Sequence, residues 1–204
     1  MASTDNARLV WLDAEMTGLD LQSDELIEVA VLITDYNLTV LDEGFHRVIA
    51  PSAKALEQMG DFVRQMHTSS GLLDELAGGI SLEQAQSELM DYLRSHVPEP
   101  QSAPLAGNTI GTDRAFIQRD MPEVNAHLHY RNIDVSTIKE LTRHWFPRMY
   151  FQAPEKNGGH RALADIRESI RELAYYRQVA FVDEPGPSTS EIKKISQEIV
   201  TRFE

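Results

Sequence analysis

The sequence predicts an α/β protein on three observations. Residues 9–12 form a short, unbroken apolar run suited to a strand buried on both faces, and residues 26–34 form a longer run of the same kind. Further strand candidates at residues 103–108 and 133–135 each lead into stretches whose apolar residues recur at helical intervals. Cysteine is absent, so the 204 residues must fold around an apolar core, with no disulfide or thiolate metal site to help.

Composition narrows the class. Hydrophobic residues at 42% and charged residues at 25% match a soluble globular protein, and no apolar stretch approaches the roughly 20 residues of a membrane span. No membrane partner is expected. The first residues, Met-Ala-Ser-Thr-Asp-Asn-Ala-Arg, show neither a basic leader nor an apolar signal core, which predicts a cytoplasmic location. The length suits one domain, placed at residues 1–182, with residues 183–204 as a tail holding a short amphipathic helix. A formal net charge of -13 argues against gripping long duplex nucleic acid through many phosphate contacts. It leaves room for a short nucleotide ligand held through divalent cations.

The first run ends in Asp13-Ala14-Glu15. In an extended chain alternate side chains share a side, so Asp13 and Glu15 point the same way, where two carboxylates repel unless a cation lies between them. Gly18 then lets the chain turn. For an isolated Asp-x-Glu, a polar strand end is the plain alternative. The run at residues 26–34 carries Glu28 inside it, costly there unless paired. After a turn at residues 35–37, residues 38–49 read as a returning partner, which predicts a three-stranded antiparallel start.

From Pro51 the spacing becomes helical through Leu56, Met59, Val63 and Met66, with Phe62 among them, and residues 67–71 read as a loop. Ser81 and Gln84 form a capping-box signature for a helix that buries Leu82, Ala85, Leu89 and Leu93 and stops near Pro98. The strand at residues 103–108 leads into a helix with Phe116 and Ile117, which puts Asp113 at a helix start, where the helix dipole favours an acid whatever its function. The strand at residues 133–135 precedes a helix with Ser136 as its cap and Ile138, Leu141 and Trp145 along it. Residues 146–157 read as irregular. Gly158 and Gly159 precede His160, and Leu163, Ile166, Ile170 and Leu173 mark a long helix. His160 and Asp165 would diverge by about 140° on one regular helix, so His160 must lie on the entry if both serve one site. Ser188 caps a last helix with Ile192, Ile195, Ile199 and Phe203 on one side.

Asp13, Glu15, Asp113, Asp165 and His160 thus all fall at element ends. Two divalent ions about 3.5 to 4 Å apart require an oxygen-rich site of this kind, and a histidine titrating near neutrality can take a proton from water.

At these residues the sequence resembles the DEDDh family of 3'-to-5' exonucleases, and within it the oligoribonucleases. The motifs that carry the likeness are Trp-Leu-Asp13-Ala-Glu15-Met-Thr-Gly-Leu19, Pro-Leu-Ala-Gly-Asn-Thr-Ile-Gly-Thr-Asp113 and His160-Arg-Ala-Leu-Ala-Asp165, together with the stretch from His129 to Leu141. The likeness covers roughly residues 8–180. It implies a ribonuclease-H-like fold, a mixed β-sheet flanked by α-helices, and a homodimer that removes nucleotides from very short single-stranded RNA, dinucleotides above all. By resemblance Asp13, Glu15, Asp113 and Asp165 hold two Mg2+ or Mn2+ ions and His160 is the general base. Leu19 wedges against the bases, and Phe62 stands where relatives commonly have tryptophan. Arg131, Ser136, Thr109 and Lys139 cap a 5' phosphate, with His129 and Tyr130 reaching over from the second subunit. Ala14 replaces a larger apolar residue common in the first motif. Two other readings stay open: a proofreading-like or DNA-trimming exonuclease with the same five residues, and an inactive nucleotide-binding module. Zinc hydrolysis through His127 and His129 lacks convincing further ligands.

Overall fold

The computed structural model describes residues 7–156 and 159–203. Strand β1 (Leu9–Met16) runs past the two acids instead of ending at them. It pairs antiparallel with the fully buried β2 (Leu26–Thr34), which pairs antiparallel with β3 (Phe45–Val48). The antiparallel start is therefore as expected, but the third strand is four residues long. Residues 38–44 pair with β2 in strand fashion at the bridge between Thr34 and Val40 alone.

On the other side of β1 lie β4 (Pro104–Gly107) and β5 (His129–Asp134), each parallel to its neighbour, giving the order β3-β2-β1-β4-β5. The sheet is mixed and flanked by helices. Because strand side chains alternate, β1 buries Val10, Leu12 and Ala14 on one face and Leu9 and Trp11 on the other. The first face packs against α4 (Leu82–His96) and α5 (Gly111–Asp120) through Leu89, Leu93, Phe116 and Ile117. The second packs against α9 (Ala162–Val179) through Ala162, Ile166 and Ile170.

Between β3 and α4 come three short helices, α1 (Ala53–Gln58), α2 (Asp61–Ser69) and α3 (Leu72–Glu75), then a 3-10 turn. Here the loop expected at residues 67–71 is corrected: His67, Thr68 and Ser69 belong to α2, because His67 follows Val63 by one turn and turns inward. Ser81 caps α4 as expected, accepting from the Gln84 N–H at 3.2 Å. After α6 (Pro122–His127), β5 begins four residues earlier than expected, and α7 (Val135–Trp145) is capped by Asp134 rather than Ser136, the Asp134 carboxylate accepting from the Ser136 N–H at 2.9 Å. The stretch after α7 contains a helical turn, α8 (Pro147–Phe151), started by proline at its first position. Asn157 and Gly158, like residues 1–6 and Glu204, lie outside the described residues. The final α10 (Thr189–Phe203) keeps Ile192, Ile195, Ile199 and Phe203 exposed. No helix among the described residues is long and apolar enough to cross a membrane.

Candidate active site

Alternation along β1 decides where its acids go. Leu9 and Trp11 face α9, so Asp13 and Glu15, two and four residues on, continue along that face toward Asp165 in the first turn of the helix. The carboxylates of Asp13, Glu15 and Asp165 offer oxygens that all lie within 4.8 Å of one another. Asp113 arrives from the first turn of α5 and is buried, with Oδ1 accepting from the Ala14 N–H at 3.0 Å. It stands beside the trio, on the backbone between its two strand members.

These groups hold protons more tightly than free carboxylates. Burial pushes Asp13 well up, and the charges of Asp113, Glu15 and Asp165 push it further. Glu15 is raised to about 8, first by burial and then by Glu28, Asp165 and Asp113, with Arg161 opposing. Asp113 is raised to about 7 by burial, against its backbone hydrogen bonds. Burial and Glu168 raise Asp165, while the imidazole of His160 works the other way. An all-carboxylate donor set with this deficit of positive charge fits hard divalent cations of the Mg2+ or Mn2+ type.

His160 lies before α9, as its spacing from Asp165 demanded, with a left-handed backbone (φ 47) and an exposed side chain. With Gly159 it faces Gln65, Ser69 and Ser70 across a cavity of about 470 Å³. A second cavity of about 430 Å³ is walled by Glu15, Asp113, Thr109, Leu19 and Phe62. Phe62 and Met66 border both. The structure thus gathers the four carboxylates and sets the histidine in the adjoining recess.

Leu19 and Phe62, 75% and 80% exposed, both line the cavity beside the carboxylates. The turn carrying Leu19 is stiff: Asp24 accepts from the Thr17 hydroxyl and the Asp20 N–H, and Arg119 donates to the carbonyls of Leu21 and Asp24. A Cβ at Gly18 would fall 2.3 Å from Asp24 Oδ2, so a larger residue there would push the Asp24 carboxylate off these hydrogen bonds.

At the far end, the hydroxyls of Thr109 and Ser136 are 3.1 Å apart, and the Thr109 N–H is shared by Ser136 Oγ and Asp134 Oδ1, each at 3.0 Å. Ser136 Oγ donates to Asn108 Oδ1 at 3.0 Å. Lys139 is paired with Glu172 at 3.1 Å. Exposed Tyr130 stacks on His129, ring centres 4.5 Å apart, with the Arg131 guanidinium 5.4 Å from the Tyr130 ring centre.

Reading the sequence missed three contributors. His67 is fully buried against the cluster: its Nε2–H donates to the Met16 carbonyl at 2.9 Å, and its Nδ1, with no hydrogen-bond partner among the described residues, lies 4.0 Å from Glu15 Oε2. Its helical offset from Val63 was the available signal. Arg114 gathers the carbonyls of His129 and Tyr130 and the Asn132 amide oxygen, shaping the start of β5. Arg161 spans Glu28 and Glu75.

An exonuclease family model, RNase_T, matches residues 10–173. The chain is 60% identical over 201 residues to an oligoribonuclease of Leifsonia xyli subsp. xyli, covering 98% of this chain and 97% of that protein. It is 59% identical over 191 residues to an oligoribonuclease of Streptomyces griseus, covering 94% and 95%. Among solved structures it resembles an exonuclease I from Methylocaldum szegediense (TM-score 0.60, 18% identity, 84% of this chain and 40% of that one). It also resembles E. coli exonuclease I in complex with a dT13 oligonucleotide (TM-score 0.63, 13% identity, 84% and 41%). At such identity these two likenesses speak for the fold alone.

Proposed function

The chain belongs to the oligoribonuclease family of exonucleases, and from that membership we propose that it hydrolyses very short RNA from the 3' end, dinucleotides above all, to 5'-mononucleotides. The observation that carries the proposal is the meeting of Asp13, Glu15 and Asp165 within 4.8 Å, with Asp113 beside them. Those four residues would hold two divalent ions, Mg2+ or Mn2+. When bound, such ions favour ionisation of water and stabilise the leaving oxygen of a phosphodiester. His160 would accept the proton of the attacking water, its place on the entry to α9 leaving the imidazole open to solvent.

The exposed faces of Leu19 and Phe62 line the cavity beside the carboxylates, where Leu19 would wedge between two bases and Phe62 stack on one. Thr109, Ser136 and Arg131 would receive a 5' phosphate, with Lys139, already paired to Glu172, as the outer charge. We further read a cytoplasmic homodimer in which His129 and Tyr130 of each subunit cover the neighbour's substrate. The exposure of Tyr130, and of Trp145 and Phe151 on the two helices that follow β5, supports this. Residues 1–182 would form the exonuclease domain and residues 183–204 its tail.

Product analysis on labelled RNAs from the dinucleotide upward, with Mg2+ or Mn2+ and with single-stranded DNA as the contrast, tests the reading. Mononucleotides released fastest from dinucleotides support it. Faster trimming of long DNA would overturn it. A mixed dimer pairing an Asp113→Ala subunit with a Tyr130→Ala subunit tests the shared site. If Tyr130 acts on the neighbour, one of its two sites keeps both its metal ligands and a tyrosine, whereas an inactive, well-folded mixed dimer would contradict the arrangement.

A further inference from the structure

Arg161 is the residue between the candidate base and the first turn of α9, and its hydrogen bonds reach two other parts of the fold. Its Nε donates to Glu28 Oε1 at 3.0 Å, on β2. Its Nη1 and Nη2 donate to Glu75 Oε1 and Oε2 at 2.8 and 3.0 Å, on α3. The next backbone N–H, of Ala162, donates to Glu28 Oε2 at 3.2 Å. Glu28 also accepts from His46 Nε2 at 2.5 Å.

The two acids do different work. Glu28 is fully buried and needs Arg161 as a counter-charge. Glu75 is not buried: its side chain is 46% exposed, and an ion pair there contributes little to stability. What the Glu75 fork supplies is direction, since two parallel N–H to oxygen bonds fix the plane of a guanidinium where one bond would let it swing. The residue before Arg161 is His160, whose left-handed backbone a β-carbon residue adopts only when its surroundings hold it there.

We propose that Glu75 and Arg161 form a positioning clamp that sets the angle at which the chain enters α9 and so aims the His160 imidazole at the carboxylate site. Glu75 touches neither the cavity beside the carboxylates nor the carboxylates themselves; it acts through Arg161. The inference rests on His160 serving as the base.

A double-mutant cycle tests it, with kcat and KM for a dinucleotide and Mn2+ affinity by calorimetry as readouts. Glu75→Ala should lower kcat about 10- to 100-fold, the scale of a small misplacement of a catalytic group, with KM and Mn2+ affinity unchanged. Glu75→Gln, which keeps one acceptor, should recover part of that loss. In a His160→Ala background, Glu75→Ala should cost nothing more. An equal loss in both backgrounds, or weakened Mn2+ binding, would overturn the clamp, since Glu75 would then act elsewhere. If His160→Ala is impaired while Glu75→Ala matches the parent, the clamp alone fails. If His160→Ala retains full kcat, the base assignment fails and the clamp falls with it.

Discussion

Glu15 and Glu28 face each other across paired strands, both largely withdrawn from water, yet their proton affinities move in opposite directions. Glu15 is raised to about 8. Glu28, the more buried by surface exposure, is lowered: burial itself raises it, but the hydrogen bond from His46, the Ala162 N–H and the charge of Arg161 outweigh burial. Glu172 repeats the second pattern. At 4% exposure it is held down by Lys156 at 2.7 Å and Lys139 at 3.1 Å, again against burial. Burial therefore does not distinguish a structural acid from a functional one. The difference is whether the protein supplies the positive charge or leaves it to be brought in.

The sharpest break of this comparison is to remove one of the uncompensated acids. Asp113→Asn keeps an acceptor for the Ala14 N–H, so the fold should persist while hydrolysis falls on the order of 10³-fold or more. Circular dichroism with a nuclease assay reads both, and near-normal turnover at saturating Mg2+ would remove Asp113 from the site. Asp13→Asn should give a similar loss of activity while raising the melting temperature of the metal-free protein, because the amide avoids the cost of either ionising or protonating a buried carboxyl among other acids.

Among the compensated acids the effect should fall on stability. Glu28→Ala strips Arg161 and the Ala162 N–H of their buried partner and should cost about 3 kcal/mol in urea unfolding. A loss below a few tenths would show that Arg161 is satisfied by Glu75 alone.

The two classes should also respond to pH with opposite sign. Glu15, raised in the folded state, binds its proton more tightly there than when unfolded, so it costs the metal-free protein stability as pH rises from about 4.5 toward 8. Glu172, lowered, contributes stability above the ordinary glutamate pKa and loses it as pH falls below about 4.5. Melting curves at pH 5 and pH 8, with and without Mg2+, should show a decline toward pH 8 that the metal abolishes. Mg2+ binding near pH 7 should release about one proton or more, read by calorimetry in buffers of different ionisation enthalpy. A release of none would mean that the cluster is already ionised.

The smallest effect is expected from Lys156→Ala. Glu172 keeps Lys139 and the Asn108 amide at 3.2 Å, and both lysines are a third exposed, so the cost should stay below about 1 kcal/mol. A larger cost would show that Lys156, not Lys139, holds the acid down.

Local chemistry made much of this legible from the chain alone. The apolar runs of β1 and β2, the Ser81 cap of α4, the short β4 before Asp113 and the stripe of α9 all follow from periodicity and capping, which act between near neighbours. The same-side placement of Asp13 and Glu15 follows from strand geometry, and the need for His160 to sit outside its helix follows from helical geometry. Other features depend on partners far along the chain. Local sequence sets Glu15 beside Asp13 and Glu28 inside an apolar run, but the counter-charge of Glu28 comes from Arg161, more than a hundred residues later. His67 reads as loop until α2 packs it beneath Met16. The shortness of β3 and the strand character of residues 129–132 are settled by pairing with β2 and β4, because a strand is completed by its neighbour's hydrogen bonds. Sequence determined which acids stand at the element ends; the tertiary structure decided which of the buried acids are left without a positive charge beside them.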